Sequence, residues 1–301
     1  MKESLMNRFS SSFYTFVTSA ACLLAAQAGA VDVVVPAAQA TAPGNGQSTL
    51  PLRNYGTGGS RFQQLHDAST LTGFAGPHTI TRIAFRARQT PFLSFIGNRV
   101  SVSNIRVQLS TTSRVSDTTA ANGLSGQFAD NIGSDVVTVY SGQLTLMTAF
   151  TGSPTPGPFD YSITLQTPFT YNPAEGNLLV DFLIPDTATV TGNGSIGFAQ
   201  FDTFTDAFPS ADGLASAAGA TGSATIGANS TRGVVIQFRG EPAGCGCPAD
   251  YNQSGGTDGT DVDAFFVDWS AAVGCADINL DGGIDGADVD EFFQIWVAGG
   301  C

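Results

Sequence analysis

The chain has 301 residues, 42% of them hydrophobic and only 12% charged, with 36 Gly, 22 Phe and 2 Trp. This balance supplies a buried core and excludes a disordered chain or a coiled coil. A formal net charge of −13 excludes a nucleic-acid binder, because the chain would repel phosphate.

The N-terminus reads as an export signal. Lys2 and Arg8 precede a mostly apolar run from Phe13 to Ala26, and Ala28-Gly29-Ala30 fits the small-x-small cleavage rule. The run is too short, and too interrupted by Thr and Ser, to span a bilayer as a stable helix. Ser19 stands where a lipidation motif prefers Leu, which argues against Cys22 as a lipid anchor. Residues 1–30 are therefore expected to leave. The mature chain is then secreted or attached to the cell surface, with no membrane span.

Residues 31–240 read as many short strands. Ile83, Phe85 and Ala87 alternate with Arg82, Arg86 and Arg88; Ile105, Val107 and Leu109 with Asn104, Arg106 and Gln108; Tyr161, Ile163 and Leu165 with Ser162, Thr164 and Gln166. Period two means one face buried and one wet. Further strand candidates are 61–65, 136–140, 143–148, 178–184, 195–201 and 233–239. Turn-rich stretches such as Ser153–Pro158 and Asn172–Gly176 separate them. The expected fold class is mainly β: an antiparallel β-sandwich or jelly roll of about nine strands.

The body offers little catalytic chemistry, and a non-enzymatic role is expected. Asn193-Gly-Ser195-Ile-Gly197 lacks the first Gly of a nucleophile elbow, and His66 and His78 are the only two histidines. Asp181, an acid inside the apolar run Leu178–Ile184, is the most notable carboxylate. A glycoside hydrolase would need a second one about 5–10 Å away. Alternation instead places Asp181 on an outward strand face. The Arg82, Arg86, Arg88 ladder would suit acidic glycans, but a solvated strand face is the expected reading. Gly192-Asn-Gly194 reads as a hairpin turn.

Residues 241–246, beginning Glu241-Pro242-Ala243-Gly244, form a short linker, and a module of different character fills 247–301. Residues 245–301 hold ten Asp, Glu291 and no Lys or Arg, whereas 31–244 hold thirteen acids and ten Arg. The module repeats itself with a period of 27 residues, an architectural signal in its own right. Each copy opens with a twelve-residue loop. Asp250, Asn252, Ser254, Gly256, Asp258 and Asp261 fall at positions 1, 3, 5, 7, 9 and 12 of loop one; Asp277, Asn279, Asp281, Gly283, Asp285 and Asp288 fall at the same positions of loop two. Calcium takes six to eight oxygens at about 2.3–2.6 Å, and this spacing wraps it. Position 7 gives its carbonyl, and Gly255 and Gly282 at position 6 allow the sharp turn. Two calcium sites are thus expected, loop two the tighter, because Ser254 removes a charge from loop one and Thr257 stands where loop two has Ile284.

Each loop leads into a helix with one apolar face: Val262, Phe265, Phe266 and Trp269, then Val289, Phe292, Phe293 and Trp296. These faces are expected to pack on each other as a small core, with room for one exposed aromatic. The four mature cysteines, Cys245, Cys247, Cys275 and Cys301, all flank this module. An even count in a short exported module reads as disulfides; zinc is disfavoured by the spacing and by the absence of nearby His.

Duplicated loops with Asp at position 12, Pro248 ahead of loop one and flanking cysteines resemble a GC-type, type I-like dockerin domain. The resemblance covers 245–301. It implies calcium-dependent folding and attachment through a protein partner, a cohesin-like receptor or another surface anchor. Positions 10 and 11 carry Gly259-Thr260 and Gly286-Ala287 rather than the Ser-Thr type of many cohesin readers, which favours attachment of another kind. Dockerins often travel with polysaccharide machinery, so a carbohydrate-binding component of polysaccharide breakdown is the alternative function, ahead of a glycoside hydrolase. The body is similar to the β-rich region of exported PEP-CTERM-type proteins in Leu109–Ser113, Phe128–Asn131, Thr167–Phe169 and Gly176–Leu179.

Two-fold packing of the duplicated units would bring the start of loop one near the end of the second helix. On that arrangement one bridge joins the Cys245/Cys247 pair to Cys301, and the other member joins Cys275. A Cys245–Cys247 ring would be strained.

Overall fold

The computed structural model describes residues 30–53, 59–74, 76–88, 99–192, 199–206, 213–243, 247–252, 256–272, 274–279, 281 and 283–299. The expected export signal lies outside these, apart from Ala30. None of the helices among the described residues is long and apolar enough to cross a membrane.

The body is mainly β, and all its strand ladders are antiparallel. In chain order the strands are β1 (Val31–Val35), β2 (Gly46–Ser48), β3 (Ser60–His66), β4 (His78–Phe85), β5 (Arg99–Thr112), β6 (Val137–Met147), β7 (Tyr161–Tyr171), β8 (Asn177–Ile184), β9 (Val190–Gly192), β10 (Phe201–Thr205), β11 (Leu214–Gly219), β12 (Ala228–Ser230), β13 (Arg232–Val234) and β14 (Ile236–Pro242). A four-stranded sheet runs β1-β14-β4-β7, a three-stranded sheet β13-β10-β2, and a seven-stranded sheet β12-β11-β3-β8-β5-β6 with β9 beside β5. Two helices follow, α1 (Gly259–Ser270) and α2 (Gly286–Ala298).

Alternation sets which side chains turn inward. Tyr161, Ile163 and Leu165 of β7 are buried, and so are Ile105, Val107 and Leu109 of β5. Val102 and Ile105 are three apart, so strict alternation would send one of them outward. A register shift between them in the β5–β6 ladder keeps both inside. Gly142, opposite Ile105, sits at φ 127°, a left-handed conformation that favours glycine.

One continuous apolar cluster draws on the four-stranded and the seven-stranded sheets together, with Ile83, Ile163 and Phe238 from the first and Phe62, Val107 and Val180 from the second. Phe85 of β4 lies 5.9 Å, centroid to centroid, from Phe182 of β8. Each such buried side chain contributes about 1.5–3 kcal/mol.

The structure corrects four expectations. The described residues hold fourteen strands, not about nine, because several are three-residue pairs and β11 is small-residue-rich rather than alternating. Asp181 does not face water: β8 is buried on both faces, since Leu124, Phe128, Ala215 and Ala217 form a second cluster with Leu179. Arg86 is not on a solvated ladder but is 1% exposed, whereas Arg82 is half-buried and pairs with Asp32 at 2.9 Å. The segment read as linker begins as strand, for β14 runs to Pro242, which pairs with His78.

His66 is fully buried, 5.4 Å from the Phe238 ring and 3.2 Å (Nε2) from the amide nitrogen of Gln64. Burial lowers its pKa to about 3. The unfolded chain takes up that proton below about pH 6.5 and the folded chain does not, so stability is present above pH 6.5 and is lost as pH falls toward 3. Between pH 6.5 and 5 the expected loss from this residue is about 2 kcal/mol. Urea midpoints of the native chain and of His66→Leu, compared at pH 7 and pH 5, check it: the variant should lose most of the pH dependence.

Candidate metal centre

The two helices begin in the same way. Asp258 and Asp285 cap them, accepting from the N–H of Thr260 and of Ala287, each at 2.8 Å. Hydrogen bonds from the Thr260 hydroxyl and N–H hold the Asp258 carboxyl below the usual carboxylate range. Asp261 and Asp288 complete the capping boxes, with Oδ2 accepting from the N–H of Asp258 at 2.7 Å and of Asp285 at 2.8 Å.

The other oxygen of each reaches back across its loop. Oδ1 of Asp261 accepts from the N–H of Asn252 at 3.0 Å, and Oδ1 of Asp288 from the N–H of Asn279 at 3.2 Å. Position 12 thereby ties positions 3 and 9 together in both copies. Asp261 and Asp288 are both 0% exposed. Residues 245–301 contain no Lys, Arg or His, and the ion pairs among the described residues all lie in the body. Two carboxylates are thus buried without a cationic side chain to offset them.

Loop two closes further on itself. The N–H of Asp281 donates to Oδ1 of Asp277 at 3.1 Å and to Oδ1 of Asn279 at 2.9 Å, and the N–H of Gly283 to Oδ1 of Asp281 at 2.9 Å. In loop one, Oδ1 of Asp250 is buried, and the Asn252 amide donates to the Thr260 hydroxyl at 2.7 Å. Ser254, Gly255 and Gly282 lie outside the described residues, while Gly256 is exposed and Gly283 half-buried. Among the described residues no group of three or more His, Cys, Asp or Glu side chains is drawn together as a formed metal site. The donor set is nonetheless of one kind, carboxylate, amide and carbonyl oxygen, which fits a hard cation.

The helices meet at Phe265 and Phe292, both buried, with rings stacked at 4.1 Å and 3°. Ala276 completes the buried core; Tyr251, Val262, Trp269, Ile284, Val289 and Trp296 pack around it. Phe266 and Phe293 stay 38% and 36% exposed, their rings 6.3 Å apart, and Val267 and Val297 are more exposed still. The apolar faces therefore form a core as expected, yet two aromatics rather than one remain at the surface.

The Cys247 sulfur accepts from the N–H of Asp250 at 3.4 Å. The Cys275 sulfur lies 4.0 Å from the carbonyl of Ala243, just past β14. Cys245 and Cys301, on which the expected pairings rest, lie outside the described residues.

In the body, Asp181 meets Arg61 (Oδ1 to Nε 3.2 Å, Oδ2 to Nη2 2.6 Å) and the amide of Gln63 at 3.0 Å. Arg61 in turn lies 4.8 Å from the Phe128 ring. Sequence reasoning missed a pocket of about 390 Å³ whose lining includes Arg53, Phe62, Gln200, Thr203, Ser216 and Arg232. No motif announced it, because its walls come from three distant stretches of chain. A scan of protein-family models and a search of curated proteins give no match to this chain.

Proposed function

We propose that the chain is an exported protein whose β body, two sheets packed as a sandwich, is held to a surface or a partner protein by a calcium-ordered, dockerin-like module. The observation that carries the reading is the pair of buried position-12 carboxylates, repeated at a 27-residue interval with no cationic side chain in the module. When bound, calcium supplies the positive charge those carboxylates lack. Asp250, Asn252, Ser254, Asp258 and Asp261 would hold one ion with the Gly256 carbonyl. Asp277, Asn279, Asp281, Asp285 and Asp288 would hold the other with the Gly283 carbonyl. The exposed Phe266 and Phe293, side by side across the two helices, provide the apolar surface an attachment partner would cover.

The test is retention. The full chain is expected to stay on the surface of producing cells and to be released by a calcium chelator. A chain ending at Ala243 should appear in the medium with or without chelator. Equal release of both chains in calcium would contradict attachment through the module.

A saccharide-binding body is the second reading, favoured by the pocket. Its lining combines an aromatic ring, amides, hydroxyls and two guanidinium groups, with no Asp or Glu among the described residues lining it. Retention on an immobilised acidic polysaccharide that Arg232→Ala abolishes would support it; equal retention of the variant would count against it.

A further inference from the structure

The only two Trp of the chain make the same long-range bond in opposite directions. Trp269, near the end of α1, donates its indole N–H to the carbonyl of Asp285 at 2.9 Å. Trp296, near the end of α2, donates to the carbonyl of Asp258 at 3.1 Å. Donors and acceptors are each one repeat apart, so this is a single contact made twice across the approximate two-fold relation. Each acceptor is position 9 of a loop. Its carboxylate caps the following helix, and the same residue stands in the proposed ligand set.

The contact therefore runs crosswise. The helix that grows from loop one holds the entry of the helix that grows from loop two, and the reverse. The stacked Phe265 and Phe292 rings fix the helices between these two ties.

We infer that the two indoles couple the calcium loops, each Trp being held by the loop of the other copy, so that ordering one loop favours filling of the second. The inference rests on the calcium reading of the loops. Trp269 and Trp296 are positioning residues here, not ligands. A hydrogen bond worth about 1 kcal/mol net corresponds to roughly five-fold in affinity, and linkage makes the effect reciprocal.

The test uses the full chain, whose amide spectrum contains just two indole N–H resonances, assigned with Trp269→Phe or Trp296→Phe. Hydrogen exchange of both indoles is measured with and without calcium. In the native chain calcium should slow both. In Asp250→Ala, with loop one disabled, calcium should leave Trp269 exchanging about ten-fold more slowly than Trp296; in Asp277→Ala the order should reverse. Equal protection of the two indoles in these variants, or protection following each Trp's own copy, would overturn the coupling. A second readout is affinity. Asp277→Ala should weaken calcium at loop one about five-fold, and by less than two-fold once Trp269 and Trp296 are both Phe; an undiminished penalty would also overturn it. Failure of calcium to bind the native chain at all is a separate result, and would instead remove the reading on which the inference rests.

Discussion

Asp202→Ala is expected to destabilise the body by about 3–5 kcal/mol, the largest loss from any single polar substitution. Arg86 and Asp202 are 1% and 2% exposed, and Nε of Arg86 donates to Oδ2 of Asp202 at 2.7 Å. The guanidinium also donates to the carbonyls of Gln39 at 2.8 Å and Ala42 at 2.7 Å, while Asp202 accepts from the N–H of Gly44 at 2.9 Å. One pair thus fastens the segment between β1 and β2 to β10 and to the residue that follows β4. Removing the carboxylate leaves a buried cation with only neutral partners, whereas removing both charges does not. The double variant Arg86→Met, Asp202→Leu should therefore lose less than the sum of the two single changes. Urea unfolding followed by far-ultraviolet circular dichroism measures this, since both Trp lie in the module and do not report on the body. A loss below about 1 kcal/mol for Asp202→Ala would show that the pair carries no such burden.

Calcium removal is expected to unfold residues 247–299 while the β body persists. Among the described residues of the module, Phe265, Ala276 and Phe292 form the buried apolar cluster, too little to hold two helices unaided. Folding without metal would also leave Asp261 and Asp288 buried with N–H donors alone. Chymotrypsin, with fragments read by mass, should then cut at Phe266, Trp269, Phe293 and Trp296 at least about ten-fold faster in chelator than in calcium, a change of about 1.4 kcal/mol in the opening equilibrium. Equal cutting rates in both conditions would show a module that stands without the ion. A disulfide closing roughly fifty residues would contribute about 4 kcal/mol to the same fold, so reduction should widen the difference.

What was legible in the sequence follows from what its signals encode. The 27-residue repeat located both helices, and its Asp261 and Asp288 accept from the backbone N–H of positions 3 and 9. Period-two alternation located β4, β5 and β7. Alternation states only that a strand has two faces, and is silent on what covers each one. Asp181 and Arg86 were misplaced for that reason: Phe128 and its neighbours roof the first, and the Gln39–Gly44 segment roofs the second. Strands of three residues carry no period, so β2, β9 and β12 left no pattern to read. The crosswise Trp bonds were hidden because the sequence shows Trp269 and Trp296 only as the last members of apolar faces, and their acceptors are backbone carbonyls with no residue-type signature.

Calorimetric titration of the full chain with calcium tests the central claim most directly. Two ions per chain are expected, the tighter lost in Asp277→Ala and the weaker in Asp250→Ala, because Ser254 gives loop one fewer anionic ligands. A chain that takes up no calcium would contradict the account, and stronger residual binding after Asp277→Ala than after Asp250→Ala would reverse its ranking of the two loops.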